Sequence, residues 1–274
     1  MHQTRRRQRC RGDRDNGTTV SRTPSAVDAP WGRTLLTAAM VAAMVDEPLY
    51  SPELGHDDVF HRSRRAAELG LASVMCRPMH VAVAAEAVAG TSVKVTTSMG
   101  VYDPHAVEGR LQQMLREAEH LLADGARELV LVATARRLEP GLRDQFAAQL
   151  RAVAGLAGSV GVLVRVALHT STLSTAQVVT GCRISADAGA GIVQAGTWFG
   201  QDRAGLSTIQ LIRRELPPET KLKWTSPVHS LDRLLIACAE GVSRFNVATP
   251  AVLAEAEDRA SSGGIRVPVA GVDY

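Results

Sequence analysis

The sequence predicts a single parallel (β/α)8 barrel, the TIM-barrel architecture, with a polar pocket at the carboxyl ends of its strands. From about residue 40, short runs rich in Val, Ile and Leu alternate with longer stretches of helical spacing. Such alternation is typical of a parallel sheet, and 274 residues suit one barrel domain. The chain is 45% hydrophobic but only 4% aromatic. That composition favours aliphatic strands that are buried on both faces.

Eight strand–helix units can be placed in order. The predicted strands are Ala42–Asp46, Leu71–Cys76, Val93–Ser98, Glu128–Thr134, Val162–His169, Gly191–Gly196, Lys221–Thr225 and Arg244–Ala248. The predicted helices are Asp57–Leu69, Met79–Val88, Pro104–Ala123, Pro140–Leu156, Ser174–Asp187, Leu206–Glu215, Ser230–Ala239 and Pro250–Arg259. Ser174 and Ser230 stand at N-cap positions. The rival architecture, a doubly wound open sheet, lacks its main signal, because no glycine-rich nucleotide motif follows the first strand.

The charge is concentrated at the amino end. Six arginines lie within residues 1–14, against Asp13 alone, while the whole chain carries a net charge of +3. We expect residues 1–33 to be a disordered Arg-rich extension, residues 34–262 to be the barrel domain and residues 263–274 to be a tail. The body shows no basic stripe with interleaved aromatics, so a nucleic-acid partner is not predicted.

The cysteines and the apolar runs bear on the compartment. The four cysteines are widely spaced and form neither a CxxC pair nor a Cys/His cluster. This pattern favours reduced cytoplasmic thiols and predicts neither a metal site nor a cofactor. The run from Leu35 to Val45 resembles a secretory signal in outline, but the region before it is too long and carries acidic residues. No run reaches the length of about 20 apolar residues that spans a membrane.

Three charged residues on predicted strands are the first candidates for catalysis. Lys223 and Arg165 lie within apolar strands, and Asp46 ends the first predicted strand. A lysine in the lumen, the interior of the barrel, loses hydration, which lowers its pKa and makes its amine a nucleophile. Arg165 would lower that pKa further. The alternative is that both cations bind an anionic substrate or pair with Asp46.

Other polar or bulky residues stand at the carboxyl ends of the strands, where a barrel carries its function. His169 could act as an acid or base, and Gln194 could donate or accept a hydrogen bond but cannot act as base or nucleophile. Trp198, Trp224 and Phe199 would bring bulk to the pocket mouth. The candidates for substrate binding are Gln194, Thr225, Ser226, Trp198, Trp224, Ser98, Thr134 and Asn246.

From Val45 to about Glu255 the chain resembles a deoxyribose-phosphate aldolase. Residues 45–49 read Val-Asp-Glu-Pro-Leu and resemble the family's Ile-Asp-His-Thr-Leu. Residues 71–78, 124–128 and 163–170 resemble Phe-Ala-Ser-Val-Cys-Val-Asn-Pro, Asn-Gly-Ala-Asp-Glu and Leu-Leu-Lys-Val-Ile-Ile-Glu-Thr. In that family a lysine of the sixth strand forms a Schiff base with acetaldehyde, and the enamine adds to an aldehyde phosphate. A lysine of the seventh strand and an aspartate of the fourth strand assist.

The resemblance carries over unevenly. The seventh-strand lysine is kept as Lys223, but Gln194 takes the place of the sixth-strand lysine and Val130 that of the fourth-strand aspartate. The fifth-strand lysine becomes Arg165, and the glutamate after it becomes His169. Glutamine cannot form an imine, so the ordinary aldol reaction should be lost.

The phosphate loops also differ. The family's Ser-Gly-Gly becomes Ser-Pro-Val at residues 226–228, and its Gly-Thr-Ser-Ser becomes Asn-Val-Ala-Thr at residues 246–249. Proline lacks an N–H, and the glycines that let backbone approach a phosphate are gone.

Together these points predict an aldolase-like lyase of specialised metabolism that acts on a non-phosphorylated carbonyl compound. It would make or break a carbon–carbon bond, or catalyse a related cyclisation or dehydration. Lys223 would form the imine, or with Arg165 polarise a carbonyl, while His169 or Asp46 moves protons. Two alternatives stay open: a non-catalytic barrel that binds a small molecule, and a true deoxyribose-phosphate aldolase. A homodimer is an open alternative to a monomer.

Overall fold

The predicted barrel is confirmed by a computed structural model, which describes residues 35–100, 111–198, 202, 204–247 and 249–269. Its strands are β1 (Leu35–Leu36), β2 (Asp46–Leu49), β3 (Ser73–Cys76), β4 (Lys94–Ser98), β5 (Glu128–Ala133), β6 (Leu163–Leu168), β7 (Ile192–Ala195), β8 (Lys221–Val228), β9 (Val242–Val247) and β10 (Ile265–Arg266). Strands β2 to β9 lie side by side in chain order, all parallel. Val45 bridges to Phe245 and brings β9 back to β2.

Helices alternate with these strands and cover the outside of the barrel. They are α1 (Ala38–Ala42), α2 (His56–Glu68), α3 (Val81–Ala87), α4 (Leu111–Ala123), α5 (Arg143–Ser159), α6 (Thr175–Asp187), α7 (Leu206–Glu215), α8 (Leu231–Ala239) and α9 (Thr249–Ser261). Two short 3₁₀ helices, Pro78–His80 and Arg136–Leu138, follow β3 and β5. Ser174 and Ser230 are N-caps, as predicted, and accept hydrogen bonds from Gln177 N and Arg233 N.

The first predicted strand is wrong in its position. Residues 38–42 form α1, and Thr37 caps this helix by accepting a hydrogen bond from Met40 N at 3.1 Å. The apolar run does not distinguish a short buried helix from a buried strand. Strand β2 therefore begins at Asp46 instead of ending there, which places this carboxylate at the amino end of its strand.

The expected extension, residues 1–33, lies outside the described residues, as does the first part of the predicted helix Pro104–Ala123. The expected tail contains β10, which pairs antiparallel with β1 through Leu35 with Arg266 and Leu36 with Ile265. The domain limits remain predictions. Among the described helices, none has the length and apolarity needed to cross a bilayer.

Along each barrel strand, successive side chains point alternately outward, to the layer between strands and helices, and inward, to the lumen. One set packs in the aliphatic layer between the strands and the helices, where Val164, Val193 and Leu222 are buried. The other set fills the lumen. There the sequence has placed charged side chains toward the amino ends of the strands and a mixture of polar and apolar side chains above them.

Candidate active site

The lumen holds a cluster of five charged side chains with little or no solvent exposure. Lys223, Arg165, Asp46 and Glu128 are each 0% exposed, and Arg244 is 8% exposed. We call these five residues the ion cluster. Buried charges are normally paired, because an unpaired one would lose its hydration without compensation. The pairing within the cluster therefore defines the site.

Asp46 is the first centre of the ion cluster. Its Oδ2 accepts hydrogen bonds from Nζ of Lys223 at 2.5 Å and from Nη1 of Arg165 at 2.8 Å. Its Oδ1 accepts from Nε of Arg244 at 3.0 Å and also contacts Nη2 of that residue. Burial would raise the pKa of Asp46, but Arg165, Arg244 and Lys223 together hold it well below its usual value. The carboxylate is therefore ionised.

Glu128 is the second centre, and the sequence analysis missed it. Its Oε2 contacts Nη2 of Arg165 and accepts a hydrogen bond from Oγ1 of Thr96 at 2.9 Å. Its Oε1 lies 3.4 Å from Nη1 of Arg244 and 3.8 Å from Nζ of Lys94. Glu128 is thus a second buried carboxylate of the lumen beside Asp46. Two carboxylates share Arg165 and Arg244 between them.

Arg244 reaches the lumen because β9 contains an irregularity. Leu222 of β8 is paired with Val242, yet the next residue, Lys223, is paired with Arg244, so Ser243 is an extra residue. A bulge of this kind re-aims the side chains that follow it. Lys223 and Arg244 consequently both point inward.

Lys223 is enclosed among these groups. Its loss of hydration lowers the pKa from 10.5 to about 7, and the neighbouring guanidiniums of Arg165 and Arg244 lower it as well, whereas Asp46 opposes the shift. The charge balance points the same way. Within the ion cluster two carboxylates face two guanidiniums, so a proton on Lys223 would add an uncompensated buried charge.

Gln194 lies beside Lys223, because the two residues are register partners on β7 and β8. Its Nε2 donates to O of Gly196 at 3.0 Å, while no described residue donates to its buried Oε1. Gly196 has a φ of +87°, and a Cβ there would meet O of Thr225 at 2.7 Å. Glycine therefore allows the ends of β7 and β8 to come together.

Two further polar side chains continue this wall of the lumen. Thr225 follows Lys223 by two residues on β8, and Asn246 follows Arg244 by two residues on β9. The buried Oγ1 of Thr225 and Oδ1 of Asn246 also lack a hydrogen-bond partner among the described residues. Strands β7, β8 and β9 therefore carry one acceptor-rich surface, which we call the polar wall.

Strands β3, β5 and β6 carry an apolar surface; β3 and β5 lie across the barrel from β7 and β9, and β6 is next to β7. Met75, Val130, Val132 and Ala167 form a buried cluster separate from the main core, with Tyr50 and Trp198 packed against it. We call this set of six residues the apolar wall. The rings of Tyr50 and Trp198 lie 4.8 Å apart. Ser98, a predicted binding residue, is 2% exposed, and its hydroxyl lies 2.6 Å from that of Tyr50.

The remaining predicted residues lie higher or elsewhere. His169 is four residues beyond Arg165 on the same chain segment, about 13 Å along the strand direction, with Ala167 between them. It lies at the mouth and not in the ion cluster. Thr134, also at a strand end, accepts a hydrogen bond from Arg137 N at 3.4 Å. The side chain of Ser226, and Phe199 altogether, lie outside the described residues.

Trp224 does not face the pocket, contrary to the prediction. It follows the inward Lys223, so strand alternation directs it to the helical layer. Its Nε1 donates to O of Ala204 at 2.9 Å, and Arg233 of α8 lies 5.3 Å above its ring. Of the two tryptophans assigned to substrate binding, the structure leaves Trp198 at the lumen.

Asp202, which the sequence analysis also missed, joins two loops at the mouth. Its Oδ1 accepts from Thr170 Oγ1 at 2.7 Å and from Ser171 N at 2.8 Å. Its Oδ2 accepts from Thr197 N at 2.8 Å and from Thr197 Oγ1 at 3.0 Å. Among the described residues, no group of three or more His, Cys, Asp and Glu side chains has the geometry to hold a metal ion.

Comparison with known proteins supports the resemblance seen in the sequence. A deoxyribose-phosphate aldolase of Rhodospirillum rubrum is 31% identical over 232 residues, which are 83% of this chain and 94% of the relative. One of Caldicellulosiruptor saccharolyticus is 26% identical over 215 residues, 78% of this chain and 96% of the relative. No protein-family model matches the chain.

Solved structures show the same fold. The tetrameric deoxyribose phosphate aldolase of Aeropyrum pernix superposes with a TM-score of 0.70 at 20% identity, covering 87% of this chain and 95% of that one. At 20% identity, the structural match shows a shared fold only. The sequence relatives carry the assignment to a family.

Proposed function

Since the chain belongs to the deoxyribose-phosphate aldolase family, we propose that it is an aldolase-type lyase that uses Lys223 as its imine-forming amine. We further propose that its substrate is a carbonyl compound without a phosphate group, as in specialised metabolism. The observation that carries the proposal is the position of Lys223 Nζ, fully buried in the lumen, bound to Asp46 and beside Gln194. In this proposal Gln194 occupies the place of the family's imine lysine, and Lys223, its register partner on the next strand, supplies the amine.

The chemistry follows from an uncharged amine at this position. With a pKa of about 7, a large share of Lys223 is neutral at physiological pH. The nitrogen lone pair attacks the carbonyl carbon, and the carbinolamine loses water to give an iminium ion. Loss of a proton from the adjacent carbon gives an enamine, which attacks a second carbonyl. Hydrolysis then releases the product and restores the amine, and bond cleavage is the reverse sequence.

The surrounding groups supply orientation and charge stabilisation. Asp46 holds the amine by a hydrogen bond at 2.5 Å and is near enough to exchange its proton. Arg165 and Arg244 are fixed positive charges that oppose protonation of the amine. Neither Lys223 nor Gln194 is exposed, so a substrate reaches them when side chains nearer the mouth move apart.

Several residues of the lumen disfavour a phosphate group on the substrate. Val130 and Val132 offer apolar surface where a phosphorylated sugar would need hydrogen bonds. Carbonyl-type oxygens of Gln194 and Asn246 would repel a phosphate at the polar wall. Pro227 removes a backbone donor from the end of β8. We therefore expect no cleavage of deoxyribose 5-phosphate, and a cleavage assay tests this directly.

The amine is tested by reductive trapping. Acetaldehyde and borohydride should leave an ethyl group on Lys223 of the wild type, located by peptide mapping after intact-mass measurement. Lys223→Met, which keeps the length and removes the amine, should lose that adduct. Lys221→Met is the matched control, because Lys221 lies on the same strand but is solvent-exposed. An adduct that persists at equal level in Lys223→Met, or that maps only to exposed lysines, contradicts the proposal.

A second candidate, a non-catalytic binding barrel, is favoured by one observation: the hydrogen bond of Lys223 is already taken by Asp46 within an enclosed cluster. The same trapping experiment separates it, since such a barrel would bind carbonyl compounds reversibly without an adduct at Lys223. Turnover without trapping would instead indicate that Lys223 and Arg165 polarise a carbonyl and stabilise an enolate.

A further inference from the structure

We infer that the lumen above Lys223 selects a carbonyl compound with a hydrocarbon chain on one side and a hydroxyl donor on the other. This inference rests on the proposed function for the place of the reacting carbonyl, and it adds the class of substrate. It follows from the contrast between the apolar wall and the polar wall, which line the same lumen. Met75, Val130 and Val132 lie on β3 and β5, across the barrel from β7 and β9, while Ala167 lies beside Gln194.

Two buried oxygens of the polar wall lack a donor among the described residues, and the Thr225 hydroxyl beside them can either donate or accept. Oε1 of Gln194 and Oδ1 of Asn246 can only accept hydrogen bonds, and no described residue donates to either. Gln194 is 0% exposed, so its oxygen has lost water without gaining a partner in the described part of the chain. Burying an acceptor in this way is unfavourable unless a ligand supplies the missing donor. A hydroxyl group of the substrate is the simplest such donor, whereas a carboxylate or phosphate has none to offer at neutral pH.

The apolar wall fits a different part of the substrate. Met75, Val130, Val132 and Ala167 offer only carbon and sulfur surface, and the tilted rings of Tyr50 and Trp198 extend it toward the mouth. Tyr50 has its hydroxyl engaged by Ser98, both by the side chain at 2.6 Å and by the backbone N–H at 2.8 Å. It therefore presents its ring and not its hydroxyl. Hydrocarbon is the chemical group that gains from contact with this surface.

The inference is tested with three ketones that share the carbonyl group, so that any imine contribution cancels. The first, 4-hydroxynonan-2-one, has both the hydroxyl and the chain; nonan-2-one lacks the hydroxyl, and 4-hydroxybutan-2-one lacks the chain. Dissociation constants are measured by calorimetry without reductant. We expect the first ketone to bind about tenfold more tightly than nonan-2-one. Each chain methylene should add about fourfold over 4-hydroxybutan-2-one.

Two near-isosteric variants assign these gains to the two walls. Gln194→Leu should abolish the gain in affinity that the hydroxyl gives and keep the gain in affinity that the chain gives. If the leucine variant does not fold, Gln194→Met is used in its place. Val132→Thr should reduce the gain from the chain and leave binding of 4-hydroxybutan-2-one unchanged. Circular dichroism confirms folding of each variant.

The outcomes separate this inference from the proposed function. If the hydroxyl or the chain brings no gain in wild type, or if the hydroxyl gain survives both Gln194 variants, the inference is overturned even when trapping labels Lys223. If both gains are found and assigned as expected but trapping fails, the substrate class stands and the imine is lost. Tighter binding of deoxyribose 5-phosphate than of 4-hydroxynonan-2-one would overturn the inference.

Discussion

Nζ of Lys223 lies 2.5 Å from Oδ2 of Asp46, and neither side chain is exposed to solvent. A buried ion pair must recover the hydration that both partners lose, and it does so only when all partners are in place. Asp46 meets this condition because its carboxylate accepts hydrogen bonds from Lys223, Arg165 and Arg244 together. The pair therefore links the pKa of the Lys223 amine to the stability of the ion cluster.

The first prediction concerns Asp46→Asn. The substitution keeps the shape but leaves Lys223, Arg165 and Arg244 with Glu128 as the remaining carboxylate of the ion cluster. We expect the free energy of unfolding to fall by about 3–5 kcal/mol at pH 7, because buried cations lose their counter-charge. Urea unfolding measures the change. Asp187→Asn, at an exposed carboxylate that ends α6, is the control, and a loss below about 1 kcal/mol for Asp46→Asn would contradict the role of the pair.

The second prediction concerns pH. The pKa of Lys223 is about 7 in the folded chain and 10.5 without the fold. Between these values the unfolded chain binds one more proton, so the contribution of Lys223 to stability rises with pH. Relative to Lys223→Met, the wild type should gain about 2–3 kcal/mol between pH 7 and pH 9.

The comparison with Lys223→Met removes the contribution of the other groups that titrate at alkaline pH. Burial raises the pKa of Tyr50 to about 12 and that of Cys76 to about 12, and these groups change stability in the alkaline range in both proteins alike. Subtraction removes them. Parallel unfolding curves for wild type and Lys223→Met across this range would show that Lys223 keeps an ordinary pKa.

The third prediction separates the two tryptophans. Trp224→Phe loses the hydrogen bond to Ala204 and part of its packing against Arg233, so stability should fall by about 2 kcal/mol. Binding of 4-hydroxynonan-2-one should stay within about twofold, because Trp224 faces the helices. Trp198→Phe should show the reverse: nearly unchanged stability and weaker binding. Calorimetry and urea unfolding of the two variants provide the test, and weaker binding in Trp224→Phe would contradict the assigned orientation.

Strand alternation and the family resemblance were enough to name Lys223 and Arg165 as candidates for the lumen, and both side chains are fully buried there. The same alternation, applied residue by residue, already excludes Trp224 from the lumen. Its bulk and its nearness to the strand end suggested a pocket residue, but parity decides direction.

Glu128 and Arg244 could not be identified from the sequence in the same way. Each stands first in its predicted strand, where a charged side chain normally reaches solvent. Glu128 turns inward because it forms ion pairs with Arg165 and Arg244, which lie on other strands, distant in sequence. Arg244 turns inward because of the extra residue Ser243 in β9, and a bulge of this type leaves no mark in local composition.

The fourth prediction concerns the mouth. Asp202→Asn keeps one acceptor oxygen of two, so it cannot hold Ser171 N and Thr197 N as the carboxylate does. We expect faster amide hydrogen exchange at Ser171 and Thr197, measured by mass spectrometry, with little change in the strands below. Asp187→Asn again provides the exposed control. Unchanged protection at both amides would show that Asp202 does not join the two loops in solution.

The fifth prediction introduces a lysine at position 194, where the proposed function locates the family's imine-forming lysine. In Gln194→Lys the new side chain stands beside Lys223 and near two guanidiniums, so burial and like charge should both lower its pKa and make it nucleophilic. Acetaldehyde and borohydride should then label residue 194 at least ten times faster than Lys223 in wild type. Gln194→Met is the matched control without an amine. If Gln194→Lys folds but carries its adduct only on Lys223, the proposal that residue 194 stands at the position of the family's imine lysine is contradicted. If it labels quickly yet still leaves deoxyribose 5-phosphate intact, recognition of phosphate was lost separately from the amine, as Pro227 and the apolar wall lead us to expect.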